Sequence, residues 1–157
     1  MRLFALSCLA AAVWTTAAPL ALAQAMQPVY VQFEGFIRNE DGTMTLSFGY
    51  FNTNDRDVTI AAGADNGFVP PPVDRRQPIL FLKGRHRSAC VVVMPAGFDG
   101  NLRWRVRSGG TESLTTAKVL DPNYALEDAS ARLATNGLEL RSVPRATCLQ
   151  PRPLGDR

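Results

Sequence analysis

An all-β domain is the fold class this chain predicts, and three observations carry it. Apolar and polar residues alternate with period two through several short runs, Gly-, Asn- and Pro-containing turns separate those runs, and no helical spacing of apolar residues intervenes before residue 120. Together they imply about seven short strands in an immunoglobulin- or fibronectin-III-like β-sandwich, with a small barrel as the alternative closure.

A leader precedes the strands. Arg2 is a short cationic region, residues 3–13 are apolar, and Ala21-Leu22-Ala23 places small residues where a signal peptidase reads, just before Gln24. Ala23-Gln24-Ala25 offers a second cleavage position, and Cys8 lies in the leader without lipoprotein spacing. The segment is too short and wrongly flanked for a transmembrane helix. Residues 1–23 are therefore expected to be removed on export, leaving a periplasmic or secreted chain. Taking 23 residues from 157 leaves 134, enough for one packed domain. No later stretch approaches the roughly 20 apolar residues needed to span a bilayer.

Residues 24–120 hold the predicted sandwich. Val29, Val31 and Phe33 alternate with Tyr30, Gln32 and Glu34; Met44, Leu46, Phe48 and Tyr50 alternate with Thr43, Thr45, Ser47 and Gly49. Asn39-Glu40-Asp41-Gly42 between them is a hairpin loop in which Gly42 suits a positive φ. Asn52-Thr53-Asn54-Asp55 is the next turn, followed by a short strand over 57–61. Residues 63–74 read as loop, because Asn66-Gly67 marks a turn and Pro70-Pro71-Pro72 favours polyproline II. Residues 79–82 form a short strand ended by Gly84, and Cys90-Val91-Val92-Val93 lies in a strand covered on both faces.

Leu102, Trp104 and Val106 point one way and Arg103, Arg105 and Arg107 the other. A three-residue loop, Ser108-Gly109-Gly110, sets Trp104 opposite Leu114 and keeps the bulky pair together. A two-residue loop instead pairs Arg107 with Glu112.

Composition shifts after Leu120. Asp121-Pro122 is an N-cap followed by proline at the first helical position. Leu126, Ala129, Ser130 and Leu133 then recur at helical spacing, and Asn136-Gly137 is a stop. Residues 121–143 are thus expected to hold a short helix, with 138–143 as an edge strand. Residues 144–157, rich in Pro and Arg, read as a flexible basic tail.

Without the leader the chain has two cysteines, Cys90 and Cys148, which an oxidising compartment is expected to join. A buried Cys90 with a free Cys148 is the alternative. Residues 24–128 carry 11 Lys and Arg against 12 Asp and Glu, whereas 129–157 carry five arginines against Glu139 and Asp156. The preference for arginine over lysine has an origin in genome composition or in anion binding.

Most catalytic chemistries find no constellation here. His86, the only histidine, sits between Arg85 and Arg87 as a solvated loop residue, and no nucleophile elbow accompanies it. One His and two separated Cys do not make a zinc site. Glu34, Glu112 and Glu127 are scattered, so a carboxylate-based hydrolase is the weaker reading. Asp55-Arg56-Asp57 and Asp99-Gly100-Asn101 lack the ligand spacing of a calcium loop, and no Gly-rich loop opens a helix to cradle phosphate. No catalytic residue, metal or cofactor is expected.

The remaining candidate is a basic row. Arg103, Arg105 and Arg107 lie about 7 Å apart on one strand face, and Arg85 and Arg87 repeat the arrangement. Such a row grips carboxylate, sulfate or phosphate on an acidic partner, or serves as a solvated face that blocks edge pairing.

Phe33-Glu34-Gly35-Phe36, Asn39-Glu40-Asp41-Gly42-Thr43 and Phe48-Gly49-Tyr50-Phe51-Asn52-Thr53-Asn54 carry a resemblance. It continues through Gly63, Asn66, Phe68, Gln77-Pro78, Phe81, Gly84-Arg85, Val93, Pro95 and Phe98, then Leu102, Trp104, Pro122 and Tyr124. Residues 29–126 thereby resemble a family of uncharacterised bacterial exported proteins. The resemblance implies a small exported β-domain and brings no catalytic residues. Cys90, Pro70-Pro71-Pro72 and everything after Asp128 depart from it.

The functional expectation is a non-enzymatic extracytoplasmic module, binding or accessory, of the cell envelope. Its expected partner is an envelope protein or an anionic glycan, and not nucleic acid.

Overall fold

The computed structural model describes residues 25–126 and 146–150. Within them the chain is predominantly β, in antiparallel sheets. β1 (Val29–Arg38) and β2 (Met44–Asn52) form the predicted hairpin, with Val31 opposite Tyr50, Phe33 opposite Phe48 and Phe36 opposite Leu46. Its loop closes through Asn39 and Thr43, whose N–H···O=C bond is 2.9 Å, and Gly42 takes φ 79° as the turn requires.

β3 (Val58–Thr59) pairs with β5 (Leu80–Phe81) as a small separate ladder. β4 (Asn66–Val69), β7 (Arg103–Ser108) and β8 (Thr111–Leu114) make a three-stranded sheet in the order β4-β7-β8. β6 (Gly84–Met94) joins the other side of β2, and β9 (Cys148–Leu149) joins β6, giving a four-stranded sheet in the order β1-β2-β6-β9.

The alternation fills the space between the two larger sheets. Phe48 packs edge-on against Phe68 at 5.4 Å and Trp104 at 6.5 Å, with Phe33 at 5.3 Å on its other side. Leu102, Trp104 and Val106 are buried completely, as their shared face requires. Each such apolar side chain contributes about 1.5–3 kcal/mol on leaving water.

Hydrogen bonds outside the ladders stitch two flanks of this packing, one between the sheets and one between β9 and the loop after β4. On one side the Val29 and Val31 amides donate to Ser108 Oγ at 2.7 Å and Ser113 Oγ at 2.9 Å. On the other, the Cys148 amide donates to the Arg75 carbonyl at 2.6 Å, and Arg75 Nη1 returns a 2.9 Å bond to the Ala146 carbonyl. The Cys90–Cys148 disulfide, with Cα atoms 5.2 Å apart, fastens that second side.

Several expectations need correction. Asn66-Gly67 does not turn the chain: it opens β4, because Asn66 spends its side chain on the core and leaves its backbone to pair with Val106. The triple proline is not an extended stretch, since the chain doubles back there and the Phe68 amide donates to the Val73 carbonyl at 2.9 Å. Gly84 begins β6 rather than ending β5.

The β7–β8 loop has two residues rather than three, Gly109 and Gly110, at φ 54° and 72°. Paired left-handed glycines favour this tight turn, whose twist matches the strands. Arg105 therefore faces Leu114, Arg107 faces Glu112, and Trp104 meets Thr115 instead of Leu114.

The predicted C-terminal helix is not seen among the described residues. Asp121 caps as read, accepting from the Asn123 amide, but only a 3-10 turn follows over Pro122–Tyr124. Ala125 is already extended and bridges to Phe36. The remainder of that helix, the edge strand over 138–143 and the leader over 1–23 lie outside the described residues. The stretch read as a flexible tail from residue 144 contains β9, held by the disulfide and by the ladder to Val91 and Val92.

Candidate functional site

The outward face of β1, β2 and β6 gathers the most ligand-like chemistry among the described residues. Register places Tyr30 directly opposite Phe51, and Phe51 opposite Arg85, so three neighbouring strands each contribute one side chain. Tyr30 and Phe51 remain 44% and 39% exposed, although each is paired in the ladder, near the open end of the hairpin. The Arg85 guanidinium lies 5.4 Å from the Phe51 ring centroid, a cation–π distance. Its Nη1 donates to Gln32 Oε1 at 3.0 Å, which fixes the direction in which the remaining N–H groups point.

Two irregularities shape the floor beside this trio. β1 bulges between Phe33 and Gly35, and β6 bulges between His86 and Cys90, both flanking Gly49 of β2. Glu34, the extra residue of the first bulge, leans over Gly49. Its Oε2 accepts the Ser88 amide at 2.6 Å and the Ser47 hydroxyl at 3.1 Å. A side chain at position 49 would collide with that carboxylate, since a Cβ there falls 2.7 Å from Glu34 Oε1. Ser88 holds φ 49°, unusual for a non-glycine residue, and its amide thereby meets Glu34.

His86 is not a solvated loop residue. It sits in β6, half-buried and stacked on Tyr50 at 4.9 Å, with Nε2 3.1 Å from the Lys83 carbonyl. Tyr50 faces the interior, where its hydroxyl accepts the Leu82 amide at 3.0 Å. Burial pushes the Tyr50 hydroxyl above its ordinary pKa; the Leu82 bond lowers it, and the nearby Asp57 charge adds to the rise.

The five arginines of the basic row are not brought together. Arg85 and the exposed Arg87 belong to the four-stranded sheet, whereas Arg103, Arg105 and Arg107 lie on the outward face of the opposite sheet. Arg107 is committed to Glu112 through a 2.6 Å ion pair, a consequence of the two-residue loop. Arg105 Nε is buried and has no hydrogen-bond partner. Glu34 and Glu112 fall on different sheets, and Glu127 lies outside the described residues. Asp57 and Asp99 accept backbone amides of Lys83 and Asn101, both at 2.8 Å, and so serve local chain geometry.

Arg75 was not singled out by its sequence context, yet it is 6% exposed. Its guanidinium lies 6.0 Å from the Phe68 ring and meets carbonyls rather than a carboxylate. Burial pushes it below the ordinary arginine pKa. Its bonds run to Ala146 and Pro71, which assigns it to joining the loop after β4 to the strand β9. An open cleft of about 430 Å³ lies elsewhere, lined by Met26, Thr59, Ile60, Asp65 and Arg107. No described helix is long and apolar enough to cross a membrane.

Tyr30, Gln32 and Glu34 were visible in the sequence as outward positions of an alternating strand, whereas Phe51 entered only through the resemblance. What was missing is their juxtaposition, because only the pairing register sets Tyr30 beside Phe51 and Phe51 beside Arg85. Compared with protein-family models, curated proteins and solved structures, the chain matches none.

Proposed function

We propose that this chain is an exported, non-enzymatic β-domain that serves the cell envelope as a binding or accessory module. Its two larger sheets, packed about Phe48 and Trp104, are read as an immunoglobulin-like sandwich. Residues 1–23 are read as its signal peptide, with cleavage after Ala23 or Ala25. The disulfide supports export, since such bonds persist in oxidising compartments. The resemblance of residues 29–126 to small bacterial exported proteins points the same way.

One observation carries the binding role: the exposed Tyr30–Phe51 pair with Arg85 over it. Two adjoining aromatic rings left in water on paired strands sacrifice burial, and a partner that covers them restores it. A second reading places an anionic polymer on Arg103 and Arg105 of the opposite sheet. Their shared outward face on β7 supports it, while the Arg107–Glu112 pair removes one cation from the row.

Cell fractionation with N-terminal sequencing tests the address. Recovery in the periplasm or medium with Gln24 or Met26 first is the expected result, and a cytoplasmic chain that begins at Met1 refutes it.

A further inference from the structure

We infer that the Tyr30–Phe51–Arg85 surface binds a uronic-acid-bearing polysaccharide, a ligand class that rests on the binding reading above. The surface is built from three side chains on three neighbouring paired strands, a row that suits an extended polymer. Directly opposed residues on neighbouring strands hold their Cβ atoms about 5 Å apart. Tyr30 and Phe51 therefore present adjoining apolar area of the size of a sugar ring. A pyranose offers a C–H-lined face to such rings and keeps its hydroxyls at its rim, where Gln32 can meet them.

Charge selects among sugars. Arg85 is exposed, held over Phe51, and tethered through Nη1 to Gln32, so its other N–H groups form a directed donor edge. A guanidinium edge of that kind matches a carboxylate in bidentate geometry. Lys83 and Arg87 are exposed on either side of Arg85 in sequence and add positive potential. The neighbouring carboxylate, Glu34, is drawn back over Gly49 by the Ser88 amide and the Ser47 hydroxyl. An acidic sugar thus meets cation and ring at Phe51, while the Glu34 carboxylate is already occupied. A neutral glycan would leave the Arg85 donor edge without a charged acceptor.

The test titrates the mature full-length protein with an oligogalacturonate by calorimetry, alongside a neutral cello-oligosaccharide of equal length. Oligogalacturonate is expected to bind and the neutral oligomer to bind at least about tenfold more weakly. Phe51→Ala and Arg85→Gln should each weaken binding by about tenfold or more with the circular dichroism spectrum retained. Amide resonances of Gln32 and Phe51 should shift on titration. Equal binding of the two oligomers, with Arg85→Gln unchanged, overturns the assignment to uronates. Loss of binding in Arg103→Gln/Arg105→Gln, with Phe51→Ala unchanged, moves the ligand to the other sheet and overturns it too. If no oligosaccharide binds while the chain is found exported, the glycan assignment fails alone. A cytoplasmic chain refutes the reading beneath it.

Discussion

The Trp104 indole N–H donates to the Asn66 side-chain oxygen at 2.9 Å, with both residues wholly excluded from water. The same carboxamide donates from Nδ2 to the carbonyls of Ile60 at 3.0 Å and Pro78 at 2.8 Å. One side chain thereby satisfies groups on β7, on the segment after β3 and on the loop before β5. Asn66→Ala leaves the indole and two carbonyls unpaired. At roughly 1–3 kcal/mol for a stranded buried group, it should lose about 3 kcal/mol or more. Urea titration should show a lower midpoint with the same slope.

Trp104→Ala tests the core itself. The ring packs between Phe68 at 5.9 Å and Phe81 at 6.1 Å, so truncation leaves a large cavity. The expected loss is about 3–5 kcal/mol. Arg103→Gln, on the outward face of the same strand, should change stability by no more than about 0.5 kcal/mol. Equal losses in the two variants would contradict the assigned faces.

Reducing the disulfide, whose two cysteines are both buried, should cost stability. Cys90 and Cys148 are separated by 58 residues, for which unfolded-chain entropy predicts about 4 kcal/mol. Cys90→Ala/Cys148→Ala should lower the melting temperature as far as dithiothreitol lowers it in the wild type. No shift with dithiothreitol, given confirmed reduction, would contradict this.

The two glycines of the β7–β8 loop should respond differently. A Cβ on Gly109 would lie 2.6 Å from the Met26 carbonyl oxygen, whereas one on Gly110 meets nothing nearby. Gly110→Asn should therefore cost little, because asparagine tolerates the left-handed conformation. Gly109→Val should cost more, from both backbone and collision. Thermal melts of the two variants decide it.

Alkaline stability should carry the signature of Tyr50. Burial raises its pKa in the folded chain, so from about pH 10 the unfolded chain loses this proton first. The stabilisation is complete below that pH and declines as pH climbs through the folded value. Tyr50→Phe should show a flatter decline above about pH 10. It should also start about 1 kcal/mol lower at neutral pH, since the Leu82 amide loses its acceptor.

The parts of this fold legible in the sequence are those written in local period. Leu102, Trp104 and Val106 turn inward because alternation leaves them no other face, and the β1–β2 hairpin follows from two alternating runs around Asn39–Gly42. β4 was hidden because Asn66-Gly67 next to three prolines has the composition of a turn. Its pairing with β7 depends on Asn66 finding Trp104, 38 residues away. The loop register was decided by backbone handedness at Gly109 and Gly110, which outweighed the gain from pairing Trp104 with Leu114. Leu114 is left 39% exposed as the result. The bulges at Glu34 and Ser88 have no local marker, and with them the shape of the candidate site stayed out of reach.

The serine stitches on β1 bear on how copies of this protein treat one another. β1 ends its sheet, and a terminal strand ordinarily displays a comb of amides on which a second molecule can crystallise its own strand. Here Val29 and Val31 have already given theirs to Ser108 and Ser113 of the same chain. A newcomer would have to displace a neighbour already in place. Over Val29 and Val31 the flank is self-quenched, which takes those two amides out of reach of a strand from another copy.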